Sequence, residues 1–190
     1  DERPDHLLCF LPTERDILET RQLILSYTDK YEVLPLFARM PQGEQKKVFA
    51  PSSKPKVILS TNVAETSLTI PDILVVVDGG RARRARFDPN SGMSRLVTER
   101  VTRAEAEQRR GRAGRVAPGL CYRLWTRGEE GGLQAFPPAE IEAADLTGLA
   151  LELALWGADD LPFLTLPHPG TLAEAQALLT GLGALDQGGR

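Results

Sequence analysis

The sequence predicts an α/β fold: a parallel β-sheet with helices on both faces and a protruding β-hairpin, followed by a small, mostly helical domain. Three observations carry this. Up to about residue 125, short apolar runs rich in β-branched residues alternate with stretches of helical spacing. The runs are apolar on both faces, as in strands covered on each side by crossover helices. Beyond residue 138 only helix-like segments with glycine stops remain.

Taken in order, HLLCFL (6–11) reads as the first buried strand. A helix follows from Glu14 to about Asp29, with Ile17, Leu18, Ile24 and Leu25 at helical spacing and Thr13 as its N-cap. EVLPL (32–36) is the second strand, Pro41 to Phe49 a short helix with proline in its first turn, and KVILS (56–60) the third strand. LVVVDGG (74–80) is the fourth. RARRARF and MSRLV then flank the turn formers Asp88-Pro89-Asn90-Ser91-Gly92, which predicts the hairpin. A fifth buried strand, GLCYRLW (119–125), runs into the Gly- and Pro-rich stretch Gly128 to Pro138, where the domain boundary is placed. The expected domains are 1–138 and 139–190. In the second, LTGLALELALWG and LAEAQALLTGLGAL are helices joined by the proline-containing segment from Leu161 to Pro169. A parallel sheet of this kind carries its binding residues in loops at the carboxyl ends of the strands.

The chain has 190 residues, 42% of them hydrophobic and 26% charged, which is ordinary for a soluble globular protein. No apolar run reaches the roughly 20 residues of a membrane span. The two cysteines, Cys9 and Cys121, each lie in an apolar run, so reduced thiols in the cytoplasm are expected and neither a metal site nor a disulfide framework. The opening Asp-Glu-Arg-Pro-Asp-His has neither an initiator Met nor a signal-peptide pattern, and the expectation is a piece of a longer protein. Net charge is -3, but it is unevenly spread: from Arg81 to Arg115 there are eleven arginines, no lysine and four acids, which leaves 12 basic and 22 acidic residues elsewhere. An all-arginine stretch suits bidentate phosphate binding; a solvated basic face is the other reading.

Two passages carry chemistry. In QRRGRAGR (108–115), a continuing helix puts Gln108, Arg112 and Arg115 on one face, able to converge on one anion, and the two glycines cost an ordinary helix about 1 kcal/mol each. Paired guanidinium groups are what phosphoryl transfer asks of a site that must stabilise developing charge. A solvated basic helix is the alternative. The second passage, STNVAETSLTI (60–70), is a hydroxyl-rich loop directly after a strand, fit for phosphate contacts or for ordinary caps and turns.

Together these passages resemble motifs V and VI of superfamily 2 helicases, and their wording is similar to the DEAH/RHA branch, in particular to its bacterial HrpA/HrpB-like members. FLPTERDI (10–17) resembles motif IV, LPLFARM with EQKKVF the block after it, DGGRARRARFDPNSG the hook-turn and protruding hairpin, and the tail the start of a winged-helix domain. The resemblance implies a RecA-like fold for the first domain and a truncated winged-helix-like second one. It implies that Gln108, Arg112 and Arg115 face ATP phosphates, one or both arginines as fingers, that Thr69 lies on the nucleotide side of motif V, and that Ser67 senses nucleotide state. Phe49 matches the aromatic that stacks on adenine; read from the residues alone it is a core aromatic ending a short helix. Thr61 and Asn62 match positions that hold the nucleic-acid backbone, with Thr13 and Arg39, while Arg81, Arg83, Arg84 and Arg86 would border the strand. Many members have an acidic residue directly after SLTI, where this chain has Pro71 and then Asp72.

No G-x-x-x-x-G-K-[ST] and no Asp-Glu-x-His occurs in the 190 residues. The expectation is therefore an ATP-dependent RNA helicase whose phosphate loop and Mg²⁺ ligands lie in a first RecA-like domain outside this chain, so that the chain alone is inactive and has no metal residues of its own. Its partners would be that first domain and single-stranded nucleic acid, RNA before DNA. A non-catalytic nucleic-acid-binding or assembly module and a DNA helicase of the same superfamily are the alternatives.

Overall fold

The computed structural model describes residues 6–66, 68–88, 90–115, 117–157, 161–186 and 188. The five apolar runs form β1 (His6–Phe10), β2 (Glu32–Leu36), β3 (Lys56–Ser60), β4 (Ile73–Asp78) and, after the hairpin strands β5 (Arg81–Asp88) and β6 (Met93–Arg100), β7 (Leu120–Arg123). The main sheet has the order β2-β3-β1-β4-β7 with every neighbouring pair parallel, and β5 and β6 form a separate two-stranded sheet. Central position explains β3, whose five residues are all buried. It also corrects the fifth strand. β7 pairs only with β4, so it is an edge strand, and Leu120 and Tyr122 are exposed instead of buried.

Helices α1 (Glu14–Tyr27), α2 (Gln42–Phe49), the single turn α3 (Val63–Thr66), α4 (Arg103–Arg110) and α5 (Arg127–Gly131) join or follow these strands. Thr13 caps α1 as expected: its backbone is extended and its hydroxyl accepts from the Asp16 amide at 3.2 Å. Of the four apolar residues that marked this helix, Ile17 is fully buried and Ile24 packs beside it, while Leu18 and Leu25 face solvent. The apolar stripe is thus narrower than the spacing suggested. Alternation along β3 divides the core: Val57 and Leu59 join Ile17 and Val33 on one face, and Ile58 joins Leu8, Phe10, Leu34, Leu36 and Val76 on the other.

A capping box opens α4, with the Glu105 amide donating to Thr102 Oγ1 at 3.3 Å and the Thr102 amide donating to Glu105 Oε2 at 2.7 Å. Beyond its end, the turn at 111–114 lies against the sheet at Gly119. A Cβ there would sit 2.2 Å from the Ala113 carbonyl oxygen and 2.7 Å from that of Leu74, both backbone atoms that cannot swing aside. The helix itself is held by Arg109, which is 1% exposed. Its Nε donates to Glu65 Oε2 and its Nη1 to Asp78 Oδ1, each at 2.8 Å, Nη1 also reaches the Arg81 carbonyl at 3.3 Å, and Cζ stands 4.7 Å over the Phe10 ring.

The chain divides into two compact units, Asp1–Arg83 with Thr98–Pro137 and Arg84–Val97 with Pro138–Arg190. The second contains α6 (Glu140–Ala143), α7 (Thr147–Trp156) and α8 (Pro169–Gly181) around a small core of Leu146, Ala150, Ala175, Leu179 and Leu185. Gly157, at φ +64°, ends α7 in the left-handed conformation, a glycine stop as expected, whereas α8 opens at Pro169, inside the segment expected to join the two helices.

Two stability predictions result. Arg109→Ala leaves two buried carboxylates without their cation and should lower the unfolding free energy by about 3–5 kcal/mol, whereas Arg110→Ala, at an exposed residue paired with Glu107, should cost less than about 1 kcal/mol. Gly119→Ala should cost about 1–3 kcal/mol by overpacking. Urea midpoints at constant m-value measure all three.

Candidate functional site

The strands are parallel, so the loops after β1, β2, β3 and β4 leave one edge of the sheet, and Thr13, Arg39, Thr61 with Asn62, and Arg81 all lie there. Arg39, Asn62 and Arg81 are exposed; Thr13 and Thr61 are half-buried. The Thr61 amide donates to the Leu36 carbonyl at 3.2 Å, which ties the loop after β3 to the end of β2. Arg81, Arg83, Arg84 and Arg86 follow one another on β5, where period-two alternation sends Arg81 and Arg83 to one face and Arg84 and Arg86 to the other. The first two are exposed and the last two half-buried, so the four arginines do not form a single row.

The residues expected at the nucleotide lie elsewhere along the strands. Thr69 precedes β4 and Phe49 precedes β3, on the amino side of the sheet, so the carboxyl-end rule holds for the first group and not for this one. Helix α4 ends at Arg110 with Gly111 as its C-cap, and 111–114 is a turn. Arg112 and Arg115 therefore do not share a helix face with Gln108; the helix has already ended at Gly111. Both arginines turn instead to α3 and the loop after it. Arg112 is 6% exposed and gives Nε to the Glu65 carbonyl at 2.9 Å and Nη1 to the Leu68 carbonyl at 2.6 Å, with Nη2 also on the Glu65 carbonyl. Arg115 is exposed and donates from Nη1 to the Thr69 hydroxyl at 2.8 Å. Burial, and then the charge of Arg115, lower the Arg112 pKa. Gln108 is exposed on α4, and Ser67 lies outside the described residues.

Phe49, the last residue of α2, is 37% exposed, while Val48 beside it is 2% exposed. It is not a core aromatic. Asp72, the acid displaced by Pro71, takes φ +59° just ahead of β4, a left-handed backbone that Asp tolerates better than most residues, and its carbonyl accepts from the His6 amide at 3.2 Å.

Several residues that organise the site were not singled out from the sequence. Arg109 looks like its neighbours in an arginine-rich string; the available signal was Asp78 and Glu65, single acids at the end of an apolar strand and in a loop beside it, which need a cation if buried. Burial pushes the Glu65 carboxyl up more than Arg109 pulls it down. Lys56, the one charge in the run KVILS, is another, 1% exposed. Burial likewise drives the Cys9 thiol up to about 11, as suits an inert core cysteine. Among the described residues no cluster of His, Cys, Asp or Glu could hold a metal, and no helix is long and apolar enough to cross a membrane.

Comparison with known proteins agrees with this architecture. Residues 1–117 match the family model described as helicase conserved C-terminal domain. An ATP-dependent RNA helicase HrpA homolog of Haemophilus influenzae is 38% identical over 95% of this chain and 14% of its own length. The ATP-dependent RNA helicase HrpB of Escherichia coli is 40% identical over 95% of the chain and 23% of its length, and a human protein named probable ATP-dependent RNA helicase DHX34 is 40% identical over 98% and 17%. Crystal structures of Escherichia coli HrpB, described as a DExH-box NTPase and as a DEAH/RHA helicase, superpose with TM-scores of 0.88 and 0.90 at 38% and 39% identity, covering 98% and 96% of the chain and 24% of each structure. The chain thus spans less than a quarter of each of these proteins, and its sheet is the RecA-like sheet of those structures. It belongs to the helicase conserved C-terminal domain family, among relatives of the DEAH/RHA branch.

Proposed function

We propose that this chain is the second motor domain of an ATP-dependent DEAH-box RNA helicase. ATP, with Mg²⁺ held mainly by a first RecA-like domain elsewhere in the parent protein, would bind so that Arg115, Arg112 and Gln108 face its phosphates, with Thr69 beside them and adenine stacked on Phe49. The observation that carries this reading is Arg115: an exposed guanidinium fixed by the Thr69 hydroxyl at 2.8 Å, next to a second, buried arginine. A cation held ready in a fixed position is the arrangement that stabilises charge on a transferring phosphoryl group. Arg112 also supports the loop that presents Thr69, giving three of its five N–H donors to the Glu65 and Leu68 carbonyls.

Single-stranded RNA would run along the carboxyl edge of the sheet, over Thr13, Arg39, Thr61 and Asn62 and past the arginines of β5. The second unit, with α6 to α8, is read as the start of a winged-helix domain. The names of the relatives support RNA, and the cytoplasm is the compartment in which Cys9 and Cys121, both unpaired, stay reduced.

In the full-length protein, Arg115→Ala should lower ATP turnover by roughly 10³ with little change in RNA affinity measured without nucleotide, and Arg110→Ala should leave turnover near wild type. Wild-type turnover in Arg115→Ala defeats the finger assignment, and a parent inactive on ATP from the outset favours a binding module. For this chain alone, no ATP hydrolysis is expected, and single-strand binding should be weak and salt-dependent. Removing Arg81 or Arg83 should each lessen the salt slope by about 0.7 if that side chain meets a phosphate; an unchanged slope in both takes β5 out of the track.

A further inference from the structure

We propose that Lys56 is a positioning residue for the nucleotide base, its buried ammonium fixing the end of α2 so that the Phe49 ring is held out as a stacking surface. The proposal rests on the reading of Phe49 as the residue that meets adenine. Lys56 opens β3 with 1% of its surface exposed, and its Nζ donates to the carbonyls of Lys47 at 3.0 Å, Val48 at 3.1 Å and Ala50. An ammonium has three protons and no acceptor capacity, so these three carbonyls use all of them. Two of them belong to the last turn of α2 and the third to its C-cap, at the negative end of the helix dipole. The residues gripped, 47, 48 and 50, bracket Phe49.

The anchor is rigid. Lys56 sits in the ladder opposite Glu32 of β2, and its own amide donates to Nδ1 of His6, the first residue of β1, at 3.2 Å. Helix α2 is thereby fastened to the sheet from below by Val48 and at its end by the ammonium, while the next side chain, Phe49, stays 37% exposed. A methionine would fill the same space without the cost of desolvating a charge. What the cation adds is a fixed position for the last turn. An aromatic ring held in place before its ligand arrives loses little freedom on binding, which makes stacking more effective.

The test compares ADP with ribose 5-diphosphate, which lacks the base, in equilibrium binding to the full-length protein. The ratio of the two affinities isolates stacking from phosphate contacts and from any general loss of active protein. Phe49→Ala should reduce the ratio about tenfold, within the range of base–aromatic stacking. Lys56→Met should reduce it by a similar factor with ribose 5-diphosphate affinity unchanged, and the double variant should fall no further. Lys56→Arg, which keeps a cation but not three protons on one atom, should also lose part of the ratio and serves where Lys56→Met does not fold. If Phe49→Ala lowers the ratio and folded Lys56 variants keep it, Lys56 has no positioning role and the proposal is overturned while the stacking reading stands. If Phe49→Ala itself keeps the wild-type ratio, the stacking reading falls and this proposal with it.

Discussion

A guanidinium removed from water must give its protons to acceptors nearby, and Arg109 finds them on a carboxylate 44 residues back in the chain and another 31 residues back. Those partners, Glu65 and Asp78, belong to α3 and to the end of β4, and the same guanidinium touches the carbonyl that begins β5 and stacks on the last residue of β1. Four segments of the first unit are thus tied to α4 through one side chain. The Asp78 carboxylate receives the Gly80 amide at 2.9 Å on the same oxygen that meets Arg109, and its other oxygen has no hydrogen-bond partner among the described residues. Loss of the cation would therefore leave an acid already short of donors. Arg112 and Arg115 follow directly on the helix that Arg109 seats.

This arrangement gives neighbouring arginines different work. Arg109 is buried and structural, Arg110 pairs with Glu107 in solvent, Arg112 supports a backbone, and Arg115 is exposed with its position fixed by a hydroxyl. Glycine at 111 ends the helix between them, so the change of role follows a change of backbone. Charge alone does not separate these four residues. Burial and the available acceptors do.

The strands were readable because each is a short apolar run with turn formers after it, and the α1 cap because Thr13 stands where a hydroxyl satisfies the first turn. Boundaries drifted where the signal was tertiary. Leu120 and Tyr122 looked buried because apolar residues alone do not reveal an edge strand. The helix read through QRRGRAGR overran Gly111 because spacing cannot tell a tolerated glycine from a terminating one. Roles within the arginine string depended on acids far away in sequence, and Lys56 on carbonyls that no pattern of residue types displays. The candidate residues were legible as a family pattern; which of them are held, and by what, was not.

The order of the strands also bears on how the chain is made. Of the strands in this sheet, β1 and β2 are made first, yet they are not neighbours, because β3 lies between them. Until residue 60 has been synthesised and has emerged, two apolar strands remain without a partner and expose their edges, the condition in which nascent chains associate wrongly. Insertion of β3 closes both gaps at once and brings with it the loop from Thr61 onward. The piece of sequence that completes the sheet is therefore the same piece that carries much of the candidate site, and a defect there would reach the cell as poor yield before it could be seen as poor activity.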